Sequence, residues 1–183
     1  MGFLNRQHVA EATTSAKIVK WDEQAGAFTY SKRIGTEFKQ VPVSEPFAID
    51  IWQTQHGWES WVESNGSRSR QLVLASVNQP VPPKPDGKPV AIYCVPIGSR
   101  ELGGRRDLIV KGKEPTAAFC DLYDTIAAAV VETAAEHGEV VAVPIVEVSV
   151  KATDDFGNAP VFDIIEWDNR PQTWGPAIVK FDG

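Results

Sequence analysis

Only one stretch of this chain has the periodicity of a long helix, and it divides the sequence in two. From Pro115 to His137, the residues Phe119, Leu122, Ile126 and Val130 recur at three- and four-residue steps and form one apolar stripe. Asp121, Asp124, Glu132 and Glu136 fall on the far side, so the helix is expected to lay one face on a sheet. Pro115 suits a first helical turn, where its missing N–H costs no hydrogen bond, and Gly138 is a natural terminator.

Everything before the helix reads as short strands. Ala16–Trp21 and Gly26–Ser31 form a hairpin around an Asp22–Gly26 turn, and residues 32–46, with Gly35, Pro42 and Pro46, read as a loop. Phe47–Thr54 alternates, with Phe47, Ile49 and Ile51 on one face and Asp50 and Trp52 on the other. His56-Gly57 links it to Trp58–Glu63, and Asn65-Gly66 turns the chain toward Gln71–Ser76, which makes an antiparallel meander. Pro80, Pro82, Pro83, Pro85 and Pro89 form a stiff connector to Val90–Ile97, an apolar central strand. Gly98–Lys113 reads as a basic loop with a short strand at Leu108–Val110. After the helix come Val140–Val150, where Pro144 predicts an edge or a bulge, and Val161–Trp167.

The order strands, helix, two strands defines a mainly β chain with one long helix, an α+β fold. It can be laid on an OB-like five-stranded barrel with an added N-terminal hairpin. A generic α+β sandwich is the alternative. Residues 1–15 read as a flexible N-terminal arm, 16–170 as a single β-rich domain, and 171–183 as an irregular C-terminal tail.

The helix also marks a change in charge. Residues 1–113 hold 15 Lys and Arg against 11 acids, whereas residues 114–183 hold 3 against 13. Such sorting suits a protein that meets a polyanion with one surface and repels it with the other. The overall charge of −6 excludes a wholly basic coat but leaves room for a local basic groove. No run approaches the ~20 apolar residues of a membrane-spanning helix, and Met1–Thr14 lacks the apolar core of a signal peptide. Cys94 and Cys120 stand apart with no CxxC spacing, which fits reduced thiols in a cytoplasmic protein, although a disulfide between elements stays open.

Two groups of residues carry a binding reading. Trp52, Trp58 and Trp61 lie within ten residues of one another. Trp52 is out of phase with the residues its strand buries, and the odd spacing of Trp58 and Trp61 sends them to opposite faces, one of them toward the core. Trp52, Trp58 and Tyr93 are therefore candidates to stack exposed bases, which contributes ~1–3 kcal/mol per base. Packing inside the barrel or under the proline connector is the competing use of the same rings. Arg68, Arg70, Arg100, Arg105, Arg106, Lys111 and Lys113 are candidates to meet phosphates, against the alternative of ordinary surface charge.

Hydrolytic or metal chemistry has little support. His8, His56 and His137 have no Cys or carboxylate at ligand spacing, and no nucleophile motif occurs. The reading is of a non-enzyme with no cofactor and no metal.

The segments KIVKWDEQAGAFTY, GWESW, NQPVPPKPDG, LGGRRDL and IIEWDNRP together resemble a family of phage- and prophage-encoded proteins of similar length. The resemblance spans about Lys17 to Pro171 and brings no catalytic motif. It implies a setting in phage DNA metabolism. The chain departs from familiar single-strand-binding proteins in closing with IVKFDG instead of a flexible acidic tail. The expected partners are single-stranded DNA, further copies of the chain and a replication or recombination protein, with no membrane. A phage structural or assembly role without nucleic-acid binding is the alternative.

Overall fold

A computed structural model describes residues 17–137, 142–155 and 157–175, with the side chains of 132–137 left out. The expected arm at 1–15, Gly138, Val140, the tail from Pro176, and the side chains of Glu132, Glu136 and His137 lie outside the described residues.

Among the described residues, ten strands and one α-helix follow in the order β1 (Ile18–Asp22), β2 (Ala27–Ile34), β3 (Glu37–Pro42), β4 (Phe47–Ile49), β5 (Gln55–Ser64), β6 (Ser67–Ser76), β7 (Val90–Ser99), β8 (Gly104–Val110), α1 (Lys113–His137), β9 (Ala142–Ala152) and β10 (Asn158–Asn169). The chain is thus mainly β with one long helix. All ten strands belong to one sheet with the path β10-β9-β4-β7-β8-β1-β2-β3. β5 lies beside β7 below β4 and carries β6 as its outer neighbour. β1 and β8 pair in parallel.

The sheet curls into a half-barrel whose distant strands touch. Phe28 of β2 and Phe162 of β10 have ring centroids 5.6 Å apart, and Asn158 Nδ2 donates to the Glu23 carbonyl at 3.0 Å. Helix α1 fills the trough. Its stripe of Phe119, Leu122, Ile126 and Val130 is buried against Val19, Phe28, Tyr30, Val95 and Leu108, as the spacing predicted. Each such side chain contributes roughly 1.5–3 kcal/mol by leaving water. Pro115 sits in the first turn and is itself buried.

Three segments differ from expectation. The loop expected at 32–46 contains the end of β2 and all of β3, because Lys32–Ile34 pair with Glu37–Lys39 across a tight turn. The basic loop expected at 98–113 is a hairpin, since β7 runs to Ser99 and pairs with β8 from Gly104. The strand expected across 47–54 breaks at Asp50. A 3-10 turn at Ile51–Gln53 follows, and the chain resumes as β5. Asp50 is fully buried and ion-paired there, which a regular β4–β5 strand would not accommodate without turning it to one sheet face or the other.

Pro144 predicted an edge or a bulge in its own strand, and the irregularity lies in the partner strand instead. The β9–β10 register slips at Ile165, opposite the Ile145–Val146 step next to Pro144. The first residues of the expected tail are ordered into the fold. A 3-10 turn at Gln172–Trp174 seats Trp174 on the outer face of the sheet beside Ala48, Val143 and Ile145.

Candidate nucleic-acid interface

Strand parity divides the candidate residues between two faces. The pair His56 and Tyr93 faces the trough, and Trp58, two residues on from His56, shares that side. Glu59 and Trp61 therefore face outward, as do Arg68, Arg70 and Arg105. The opposite placement of Trp58 and Trp61 follows the odd spacing. Neither is fully buried, however, so the expected core assignment of one of them does not apply.

The three proposed stacking rings do not form an open platform. Trp52 lies in the 3-10 turn, half-buried against the core. Trp58 is half-buried below the proline connector. Its indole Nε1 donates to the Pro82 carbonyl at 2.8 Å, and Lys84 Nζ lies 5.5 Å from its ring centroid. Tyr93 packs on Phe119 at 5.5 Å between centroids. Burial pushes its hydroxyl above the ordinary tyrosine range, and the neighbouring Cys120 adds to that shift. Trp52 is turned to the core and Trp58 to the connector, while Tyr93 shows only part of its ring, at a cavity beside α1.

Of the three clustered tryptophans Trp61 is the exposed one, at 51%; Trp167 of β10 is exposed as well. β5 pairs with β7 only as far as Glu59, so Ser60–Gln71 projects as a free two-stranded ribbon closed by the Asn65-Gly66 turn. Asn65 and Gly66 both have positive φ, 51° and 74°, the geometry of a tight hairpin turn for which this dipeptide is favoured. The Arg68 guanidinium lies over the Trp61 ring at 4.9 Å. The NG turn between alternating segments was the sequence signal for this ribbon. Which indole it exposes depended on where the β7 pairing ends.

The cations have varied surroundings. Arg70 Nε and Lys111 Nζ reach the Glu59 carboxylate at 2.6 and 2.7 Å. They meet above an apolar strip of Ile18, Ile92, Cys94 and Ile109, with Leu72 and Leu74 packed against it. The Glu59 side chain is only 3% exposed. Burial would raise its pKa, but Lys111 and Arg70 together hold it below the usual carboxylate range. The triad carries one net positive charge.

Arg106 faces the trough. Its Nε donates to the Leu102 carbonyl at 2.8 Å, and its guanidinium lies 4.9 Å from the Tyr30 ring centroid. The half-buried guanidinium is thus already engaged within the trough. Arg105 is exposed and reaches Gln53 Oε1 at 3.4 Å. Arg100, in the β7–β8 turn, and Lys113, at the start of α1, are exposed. The outer face thus gathers Arg68, Arg70, Arg105 and Lys111, together with the exposed Lys20 of β1.

The acidic half is also contiguous. α1 packs along β10, and between them lie Glu114, Asp121 and Asp163, with Lys151 as the one cation among the residues lining that groove. Acids of the C-terminal half thus line one groove, while the outer face sets its cations beside Glu59, Glu63 and Asp107. Both cysteines are free thiols, Cys94 buried and Cys120 half-buried. Among the described residues no three His, Cys, Asp or Glu side chains converge as metal ligands, and no described helix is long and apolar enough to cross a membrane. No family model matches the chain, and no curated protein or solved structure matches it either.

Proposed function

We propose that the chain binds single-stranded DNA without sequence preference along the outer face of β5–β8. Trp61 stacks a base at the free ribbon, while Arg68, Arg70, Arg105, Lys111 and Lys20 meet phosphates. The single observation that carries this reading is the Trp61–Arg68 pair: an indole half-exposed, held by a guanidinium, on the face that also carries Arg70, Arg105 and Lys111. Stacking platforms of this kind tolerate any base because every base has a π-face. In place of Trp52, Trp58 and Tyr93, the ribbon supplies the aromatic contact.

The acidic α1–β9–β10 side faces away from the strand, toward a replication or recombination partner in the cytoplasm, as the phage resemblance implies. An OB-like core belongs to the same reading. It is supported by a curled sheet with one helix placed after most strands and before the last two.

The test is a titration with oligothymidylate, following tryptophan fluorescence at low and high salt. Quenching that weakens steeply with salt, and weakens ~5–150-fold in affinity for Trp61→Ala, is the expected result, corresponding to ~1–3 kcal/mol of stacking. Salt-indifferent binding, or none, overturns the proposal.

Assembly between copies is a second reading, favoured by one observation. The β2–β3 hairpin extends beyond β1 as a second free ribbon, with Phe38 64% and Ile34 47% exposed. Light scattering of the chain and of Phe38→Ser separates the two readings, since an oligomer that the substitution dissolves and that ignores DNA favours assembly.

A further inference from the structure

The trough side holds a cavity that the outer-face reading does not use. It has a volume of about 360 Å³ and lies between α1 and the β5–β7 edge, lined by Tyr93, Phe119, Cys120, Tyr123, His56 and the rim residues Asn78 and Asp124. Pockets of a few hundred Å³ with aromatic walls and a few convergent polar groups are the usual form of small-ligand sites.

Its chemistry is specific. His56, Tyr93, Phe119 and Tyr123 form a run of adjoining rings, with successive centroids 6.5, 5.5 and 6.3 Å apart. The rings are tilted to one another by 34°, 46° and 66° and Phe119 is buried, so the half-buried His56, Tyr93 and Tyr123 are the faces that a flat molecule can meet. His56 Nε2 lies 2.8 Å from the Gln79 carbonyl, so that nitrogen carries the proton and the ring orientation is set. Burial raises the pKa of both Tyr93 and Tyr123, so their hydroxyls stay neutral near neutral pH. At the rim, the Asn78 amide both donates and accepts, and the Asp124 carboxylate accepts. No Lys or Arg lines the cavity, so a phosphate or carboxylate finds no counter-charge there.

We propose that this cavity binds a nucleobase, laid against the half-buried rings of Tyr93 and Tyr123, which the buried Phe119 backs, with its hydrogen-bonding edge toward Asn78 and Asp124. The base arrives as a free nucleoside or as one unit of a strand, and in either case the sugar and any phosphate remain outside. The proposal does not rest on the outer-face interface, because the cavity opens on the opposite side of the sheet.

Cys120 provides a built-in reporter. It lines the cavity and is half-buried, whereas Cys94 is 6% exposed with its thiol pushed up to about 12, so Cys94 serves as the unreactive control. The experiment measures iodoacetamide labelling of each cysteine by mass spectrometry, with thymidine, adenosine, ribose, tetramethylammonium or oligothymidylate added. Saturation transfer from the protein to nucleoside ring protons is the parallel readout.

Nucleosides should slow Cys120 labelling several-fold, and ribose should not. Protection should be lost in Tyr123→Ala and reduced in Asp124→Asn, the second of which alters only an exposed rim residue. Protection by oligothymidylate at lower base concentration than thymidine assigns the site to a strand, and the reverse assigns it to free nucleoside. Equal labelling with nucleoside and with ribose, together with no saturation transfer, overturns the proposal. So does protection by tetramethylammonium alone, which would identify a cation cage.

Discussion

Arg170 grips Asp50 with both ends of its guanidinium, Nη1 to Oδ1 at 2.7 Å and Nη2 to Oδ2 at 2.6 Å, and the two side chains are 6% and 0% exposed. This pair ties the end of β10 to the break between β4 and β5 across 120 residues of chain. Nearby, Gln53 Nε2 donates to the Trp174 carbonyl at 2.7 Å and Arg170 Nε to that of Gly175 at 2.9 Å, so one cluster of bonds closes the described C-terminal turn over the sheet.

Removing one partner should be far worse than removing both. Asp50→Ala leaves a buried guanidinium without its carboxylate and should destabilise the fold by ~3–5 kcal/mol. Asp50→Leu with Arg170→Met should cost markedly less than the sum of the two single changes. Urea unfolding midpoints with unchanged m-values check both.

The two central indoles should separate stability from binding. Trp58→Ala loses the bond to the Pro82 carbonyl and the ring's packing beneath the connector, and should destabilise the protein by ~2–4 kcal/mol. Trp61→Ala removes a ring that is already half in water and should cost under ~1 kcal/mol. Oligonucleotide affinity should fall with the second substitution and not with the first, as thermal melts and fluorescence titrations on the same samples will show.

Glu59 should make stability depend on acid. Its folded pKa lies below the ordinary 4.5, so the native state favours the ionised form. The stabilisation is therefore fully present above the unfolded value and disappears as pH falls through the depressed folded value. Glu59→Gln should accordingly be clearly less stable than the parent at about pH 7, and the gap between them should close as both are taken to about pH 3. Urea midpoints measured across that range test the sign.

Gly98 should be sensitive to an added side chain. A methyl group there would sit 2.9 Å from Cζ2 of Trp174, so Gly98→Ala requires the indole to shift. The expected cost is ~1–3 kcal/mol, with a red-shifted contribution from Trp174 to the emission spectrum. Trp174→Leu in the same background should relieve most of it.

Much of the secondary structure was legible because periodicity reports local geometry. The α1 stripe, the Asn65-Gly66 turn and the apolar β7 all express spacings that a reader of residues can count. β3 was harder to see, since Glu37–Pro42 is a mostly exposed edge strand whose polar residues satisfy no core. The break at Asp50 was hidden for another reason: its cause, Arg170, is 120 positions away.

The candidate site was legible in part. The charge sorting and the cluster of tryptophans pointed to the region in which the proposed interface lies. Trp58 and Trp61 were also correctly assigned to opposite faces. What spacing could not say is which face stays open.

Residue order alone decided the mainly β character, the single helix and its buried stripe, and the division of charge at residue 113, because each follows from neighbours within a few turns or steps of the chain. Tertiary structure alone decided that Trp58 is roofed by the proline connector while Trp61 stands in solvent, that Arg70 and Lys111 share one buried carboxylate, and that Arg106 lies on Tyr30. Those outcomes are matters of burial, and burial is set by segments distant in sequence that the curled sheet brings together.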